Sequence, residues 1–386
     1  KVMKMFFQYL VSIFQVYKNY FCPLLILLLL SIFITSCKEE SVPTKPHQNQ
    51  ILTDAAIAKL QAPADKVMME KLAPGMIAYI AVDGEGDIYI TRGVGNLNTS
   101  EPMNINNYFR MASVTKTFTT EAALILSDEG KIDLNKTISF YLPEYAIPGK
   151  DTITIRMLGN MTSGLIDVLS DLVLMNTYYS SQGTAKFTPE ELVVPLLTSQ
   201  LKFTPGSQYN YCNSNTILLG LVIKKVTGKA LKDVFAEKIF QPLGLTHTFW
   251  PETNYIPQPY HHSYTNLLGT SNLDVTYYGN SWGNAAGILI SNFDDLKIWA
   301  KELYERKLLS DNAKIERFQI GVEGSGYGFG IEKHGNFAGH SGGITGWNTM
   351  VFYDGIKKIT IITHANSLDE QPASYAFSEF AKVLGY

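Results

Sequence analysis

Ser113 and Lys116 stand three residues apart in FRMASVTKTFTTEAALIL, which runs from Phe109 to Leu126. A serine hydroxyl is a weak nucleophile until a base takes its proton. Residues i and i+3 share a helix face, so this spacing brings an amine to a hydroxyl. The free N–H groups and dipole at a helix N-terminus also favour negative charge on a reacting oxygen. The same pattern recurs at Ser199-Gln200-Leu201-Lys202, where it runs into the turn Phe203-Thr204-Pro205-Gly206. Ser113 instead precedes a long helical stretch, so helix geometry separates the two copies.

Two further stretches carry side chains suited to the same chemistry. In YNYCNSN, Tyr211 and Asn213 stand two apart. A phenol beside an ammonium loses its proton more easily, which makes Tyr211 a candidate general base together with Lys116. The Asn213 amide offers both a donor and an acceptor to a substrate amide. Cys212 between them, on an extended segment, points away from its neighbours and reads as buried. In AGHSGGITGWNTMVFYDG, His340, Ser341, Gly342 and Gly343 form a strand edge of little bulk. A substrate backbone can pair with such an edge. A free N–H there, with the N–H of Ser113, would make an oxyanion hole.

These stretches need a scaffold. ILTDAAIAKLQAPADKVMMEKL reads as a helix, and MIAYIAVDGEGDIYITRGVG as a hairpin turning at Asp83-Gly84-Glu85-Gly86. From residue 109 to 320 helical patterns dominate. Thr188-Pro189-Glu190-Glu191 is a capping box with a first-turn proline. TILLGLVIKKVTG is closed by Gly228, and Ser291 is expected to cap a helix whose Leu296, Trp299, Ala300 and Leu303 share a face. Strand patterns return in YGFGIEK, GNFAGHSGG, WNTMVFYDG and KKITIITHA, and EQPASYAFSEFAKVLGY closes as a helix. The fold class is therefore mixed α/β of the α+β kind. An antiparallel sheet is built from residues 51–108 and 321–386 with flanking helices, and a mainly helical part spans 109–320. The catalytic cleft is expected between the two.

Ser-x-x-Lys at 113–116, Tyr-x-Asn at 211–213 and His-x-Gly at 340–342, in that order, resemble the three motifs of the serine β-lactamase and D-alanyl-D-alanine carboxypeptidase superfamily, in its class C β-lactamase-like branch. The flanks ITIRMLGNMTSGL, PGSQYNYCNSNTILLGLVI and GYGFGIEKHGNFAGHSGGITGW are similar to that family as well. The resemblance implies an acyl-enzyme on Ser113, base and acid work shared by Lys116 and Tyr211, and a substrate amide held by Asn213. It also implies substrate contacts from His340, Ser341 and Gly342, and an oxyanion held by the N–H groups of Ser113 and Gly343. Typical β-lactamases carry lysine where His340 stands, and a histidine is only partly charged at neutral pH. A D-alanyl-D-alanine carboxypeptidase-like peptidase or an esterase is therefore expected ahead of an efficient β-lactamase. The partners expected are small peptides, esters or β-lactams.

Two rival readings start from the same residues. Gly339-His340-Ser341-Gly342-Gly343 fits the Gly-x-Ser-x-Gly nucleophile elbow, which needs a strand, a turn, a helix and a downstream histidine. Only His364 follows it. A catalytically silent protein binding cell-wall peptides is the other rival. No cofactor or metal is expected: the seven histidines include no His-Glu-x-x-His. The pair His261-His262 reads as part of a polar loop.

Composition bounds the rest. The chain has 386 residues, 46% of them hydrophobic, and a net charge of −3. That is enough for a large core and gives no basic footprint for nucleic acid. Three cysteines make no disulfide framework. Lys1, Lys4 and Lys18 precede an apolar run from Phe21 to Ile34, shorter than the ~20 residues of a membrane-spanning helix. The run ends in Ile34-Thr35-Ser36-Cys37, which resembles the lipobox of bacterial lipoproteins. The expectation is a signal peptide over 1–36, lipidation of Cys37 and a flexible tether over 37–50. The hydrolase domain then spans 51–386, lipid-anchored in a bacterial cell envelope.

Overall fold

The computed structural model describes residues 51–70 and 72–386. The signal peptide, the tether and the lipidation of Cys37 lie outside the described residues.

Helix α1 spans Asp54–Met69, and Thr53 caps it by accepting from the Ala56 N–H. The strands of the main sheet are β1 (Gly75–Val82), β2 (Gly86–Asn96), β3 (Glu101–Pro102), β4 (Glu332–His334), β5 (Phe337–Ile344), β6 (Trp347–Asp354) and β7 (Ile359–Ala365). Their spatial order is β3-β2-β1-β7-β6-β5-β4, antiparallel throughout. The strand near the start of the fold therefore pairs with the last one, Met76 facing Ala365 and Val82 facing Ile359. Every residue of β1 is buried, as a central strand covered on both faces must be.

Period-two alternation sorts β1 onto two cores. Met76, Ala78, Ile80 and Val82 pack with Leu60, Ala64 and Val67 of α1 and with Phe377 and Phe380 of the closing helix. Ile77, Tyr79 and Ala81 face the larger core shared with the helical region. In that region α2 (Thr115–Asp128), α3 (Asn213–Thr227) and α4 (Phe293–Glu305) lie between the two sheet-forming ends of the chain, and α5 (Pro372–Val383) closes it.

Local signals account for most boundaries. The Thr188 capping box is formed on both sides, and Gly228 ends α3 in the left-handed conformation at φ 65°. The cap of α4 is not Ser291 but Asn292, whose side chain accepts from the Asp295 N–H. Ser291 is instead in a two-residue strand with Ile290, paired with Phe109 and Arg110. Of YGFGIEK only the last residues become strand, starting at Glu332.

Candidate active site

Ser113 sits in a single 3-10 turn, Ala112–Val114, leading directly into α2. The turn is tied down on both sides. The Met111 N–H donates to the Leu289 carbonyl at 3.1 Å, and the Leu289 N–H donates to Thr115 Oγ1 at 3.1 Å. Ala112 is held at φ 50°, the left-handed region that residues with a Cβ rarely adopt. Such strain costs on the order of 1–3 kcal/mol and persists only where the surroundings over-determine it.

Lys116 follows one turn later, fully buried. Its Nζ lies 2.9 Å from Ser113 Oγ and 2.9 Å from the Ala286 carbonyl oxygen, and 4.9 Å from the centre of the Tyr211 ring. Among the described residues no carboxylate hydrogen-bonds to it. Burial drives its pKa down to about 7, against the opposing pull of Asp167 and Glu332. An amine that is substantially neutral near pH 7 can accept the Ser113 proton. The helix stays fixed beneath it because its threonines are satisfied. Thr117 Oγ1 donates to the Val114 carbonyl and accepts from Trp299 Nε1, and Thr119 Oγ1 donates to the Ala285 carbonyl.

Tyr211 and Cys212 lead into α3. The Tyr211 side chain hydrogen-bonds to Ser113, so one hydroxyl meets both the amine and the phenol. The expected loss of the phenol proton is not supported: burial holds Tyr211 well above its ordinary value, outweighing the hydrogen bond from Ser113. Asn213 Nδ2 donates to Asp167 Oδ2 at 2.8 Å. Cys212 is buried, as alternation required, with its thiol toward the Ile166 carbonyl.

Strand β5 brings the third stretch in. A Cβ on Gly342 would stand 2.3 Å from the Met111 carbonyl oxygen and 3.3 Å from Val114 Cγ2, so only glycine lets the strand reach the Ser113 turn. The Ser341 N–H donates to Glu332 Oε2 at 3.1 Å, toward β4. Successive N–H groups of a strand point to alternate edges, so the Gly343 N–H leaves on the same side as that of Ser341. The pairing of β4 with β5 stops at Gly339, and among the described residues no strand covers Ser341–Ile344 on that side.

His340 departs from its expected place. It is fully buried, with its Nε2 3.0 Å from Tyr327 Oη and its Nδ1 against the Ser341 carbonyl and 3.4 Å from Glu332 Oε1. With acceptors on the Nδ1 side, Nδ1 carries the proton and the Tyr327 hydroxyl donates to Nε2. Burial lowers the imidazole below its ordinary pKa despite Glu332, and no ring atom is open to a substrate. Ser341 Oγ likewise donates to Glu332 Oε1 at 2.7 Å. Burial alone would raise the Glu332 carboxyl, but His340, His334 and Ser341 together hold it at about 2.

Three residues of this neighbourhood escaped the sequence reading: Glu332, Tyr327 and Asp167. Glu332 could have been found from the hairpin IEKHGNFAGHS. Its turn at Gly335, φ 59°, sets Glu332 opposite Gly339 and beside His340-Ser341. Nothing in the sequence marks Asp167 or Tyr327. The elbow reading fails, because β5 runs as strand through Gly339–Ile344 and no helix follows Ser341. His364 is buried in β7, stacked on Phe109 at 3.9 Å. The histidine pair lies in a loop, as read, with His262 Nδ1 meeting Asp274 at 2.8 Å, but His261 is buried, its ring stacked on His364 at 5.7 Å.

The chain is similar to known proteins in sequence and fold. The Beta-lactamase family matches the chain over residues 54–380. Protein flp of Staphylococcus aureus is 27% identical over 248 residues, covering 62% of this chain and 48% of that protein. The chain thus spans about half the length of that relative. A D-aminopeptidase of Cereibacter sphaeroides is 27% identical over 333 residues, covering 81% of this chain and 60% of the relative. Among solved structures, a D-stereospecific amidohydrolase from Streptomyces sp. superposes with a TM-score of 0.75 at 28% identity, covering 85% of this chain and 98% of that one. With a match that takes in nearly all of the described residues, the chain belongs to the Beta-lactamase family and has the fold of the serine β-lactamases and transpeptidases.

Proposed function

We propose that this chain hydrolyses amides or esters of small D-amino-acid substrates through an acyl-enzyme on Ser113. The observation that carries the reading is the Ser113–Lys116 contact of 2.9 Å with an amine held at about 7. In acylation, Ser113 Oγ bonds to the substrate carbonyl carbon and its proton passes to Lys116 Nζ. The oxyanion faces the N–H groups of Ser113 and Gly343. Collapse breaks the bond to the leaving group. Tyr211, neutral at working pH, gives its proton to that group and regains one from Lys116. Water then attacks the acyl carbon, gives its proton to Lys116, and Ser113 leaves with a proton restored.

Charge supports an acyl side with a free amine. Asp167 lies beside Asn213 and lines a cavity of about 360 Å³ with Ile166, Ser170, Asp171, Leu172 and Lys202. Two carboxylates against the single Lys202 ammonium leave the lining net negative, which suits an ammonium group. The resemblance to a D-aminopeptidase and a D-stereospecific amidohydrolase supports the same substrate class. This reading puts amidase or aminopeptidase action ahead of the D-alanyl-D-alanine carboxypeptidase expected from the sequence. The test is a panel on the purified protein: D-alanine amide, a D-Ala-D-Ala peptide, a short ester and a chromogenic cephalosporin. D-alanine amide or the ester is expected to turn over fastest, with Ser113→Ala inactive on all. Turnover that survives in Ser113→Ala would end the proposal.

The amino-terminal segment is proposed to export the chain and to be cut before Cys37, leaving a lipid anchor on that residue and a tether over residues 37–50. Metabolic labelling with a fatty acid, lost in Cys37→Ser, is the expected outcome. Equal labelling of the two overturns it.

A further inference from the structure

The open edge of β5 carries one feature that the hydrolytic mechanism does not use. At the end of β4, the Glu332 side chain takes the place that the next residue of a pairing strand would hold. Its oxygens accept from the Ser341 N–H at 3.1 Å and from Ser341 Oγ at 2.7 Å, and Oε1 lies 3.4 Å from His340 Nδ1. The side chain is 17% exposed, so most of its surroundings are protein while part of it stays open to solvent. The Ser341 and Gly343 N–H groups are two strand residues apart, about 6.6 Å along the edge. A fixed anion thus stands within about one Debye length of the carbonyl that Ser113 attacks.

The Ser341 and His340 groups that would attract a substrate carboxylate at this point are engaged. The Ser341 hydroxyl and N–H both serve Glu332, and the His340 ring is closed off by Tyr327 and the Ser341 carbonyl. His334 lies 3.4 Å from Glu332 Oε2. Burial holds the His340 ring below its ordinary pKa and Lys116 at about 7, so above that pH Glu332 stands as an anion that these two groups do not offset, in a partly desolvated place where a like charge is poorly screened.

We infer that Glu332 is a specificity-determining residue that selects against substrates bearing a carboxylate next to the scissile bond and so favours neutral leaving groups. The inference rests on the acyl-enzyme reading and sharpens it: the substrates are amides, esters or carboxyl-blocked peptides, and free C-terminal dipeptides are turned away at Glu332.

The test compares D-Ala-D-Ala with its C-terminal amide. In the native protein, kcat/KM for the amide is expected to exceed that for the free acid by at least about tenfold, and the gap is expected to narrow as salt is raised. In Glu332→Gln the ratio of acid to amide is expected to rise about tenfold or more. Using the ratio cancels any general loss from disturbed packing. Should Glu332→Gln not fold, the salt series on the native protein decides by itself. A ratio near one, or a ratio indifferent to both salt and the substitution, overturns the role of Glu332 while leaving the acyl-enzyme intact. Absence of turnover together with absence of any adduct on Ser113 overturns both.

Discussion

The chain holds two copies of Ser-x-x-Lys, and their surroundings differ in every respect that matters for chemistry. At 113–116 a helix begins, the lysine is buried, and its Nζ meets the serine at 2.9 Å. At 199–202 the serine ends a 3-10 turn, Val194–Thr198, with its hydroxyl donating to the Leu196 carbonyl, and Lys202 is exposed. Residue types are identical; what differs is a helix that fixes the pair and a core that strips water from the amine. Burial without a hydrogen-bonded carboxylate partner is what lowers Lys116 to about 7.

That contrast can be broken most severely at the two serines. Ser113→Ala is expected to reduce kcat by at least about a thousandfold, since nucleophile and base act as a unit. Ser199→Ala is expected to change it by no more than assay scatter, as read by steady-state hydrolysis of an ester. Next come the lysines. Lys116→Gln is expected to cost about 10²–10⁴-fold, the usual worth of a positioned base, while Lys202→Gln, on the lining of the proposed acyl-side cavity, is expected to change KM and spare kcat. A smaller effect is expected where the strand meets the turn. Gly342→Ala puts a methyl 2.3 Å from the Met111 carbonyl, so strand or turn must shift. Thermal unfolding is expected to report a loss of about 1–3 kcal/mol, with a fall in kcat/KM beside it. The mildest change is in pH dependence. Glu332 raises the Lys116 pKa, so Glu332→Gln is expected to move the acid limb of kcat/KM to lower pH.

How much of this was legible beforehand follows from the range of the interactions. The strands and long helices came from local periodicity, and they emerged where the patterns lie: Gly75–Val82, Asn213–Thr227, Phe337–Ile344. A single antiparallel sheet built from both chain ends followed from the strand patterns there, while the pairing of β1 with β7 in particular came from the structure. The Ser113 contacts with Lys116 and Tyr211 were likewise anticipated from ordered motifs. What stayed hidden depends on depth and on charge. A histidine that looks like a strand-surface residue is enclosed because Tyr327 and Glu332 fold over it. A tyrosine beside a lysine looks activated, yet desolvation dominates the phenol and keeps its proton on. Burial is a property of the packed whole, and spacing along a chain does not report it.

The most direct single measurement is the rate at which a fluorophosphonate modifies Ser113 as pH is varied, with the adduct mapped by mass spectrometry. Below about pH 7 Lys116 carries its proton and cannot take another; above it the amine is free. The expected result is one adduct, on Ser113, forming at half its limiting rate near pH 7 and losing that dependence in Lys116→Gln. An adduct on another serine, or a rate on Ser113 that does not change between pH 5 and 9, would contradict the pairing of this hydroxyl with this amine.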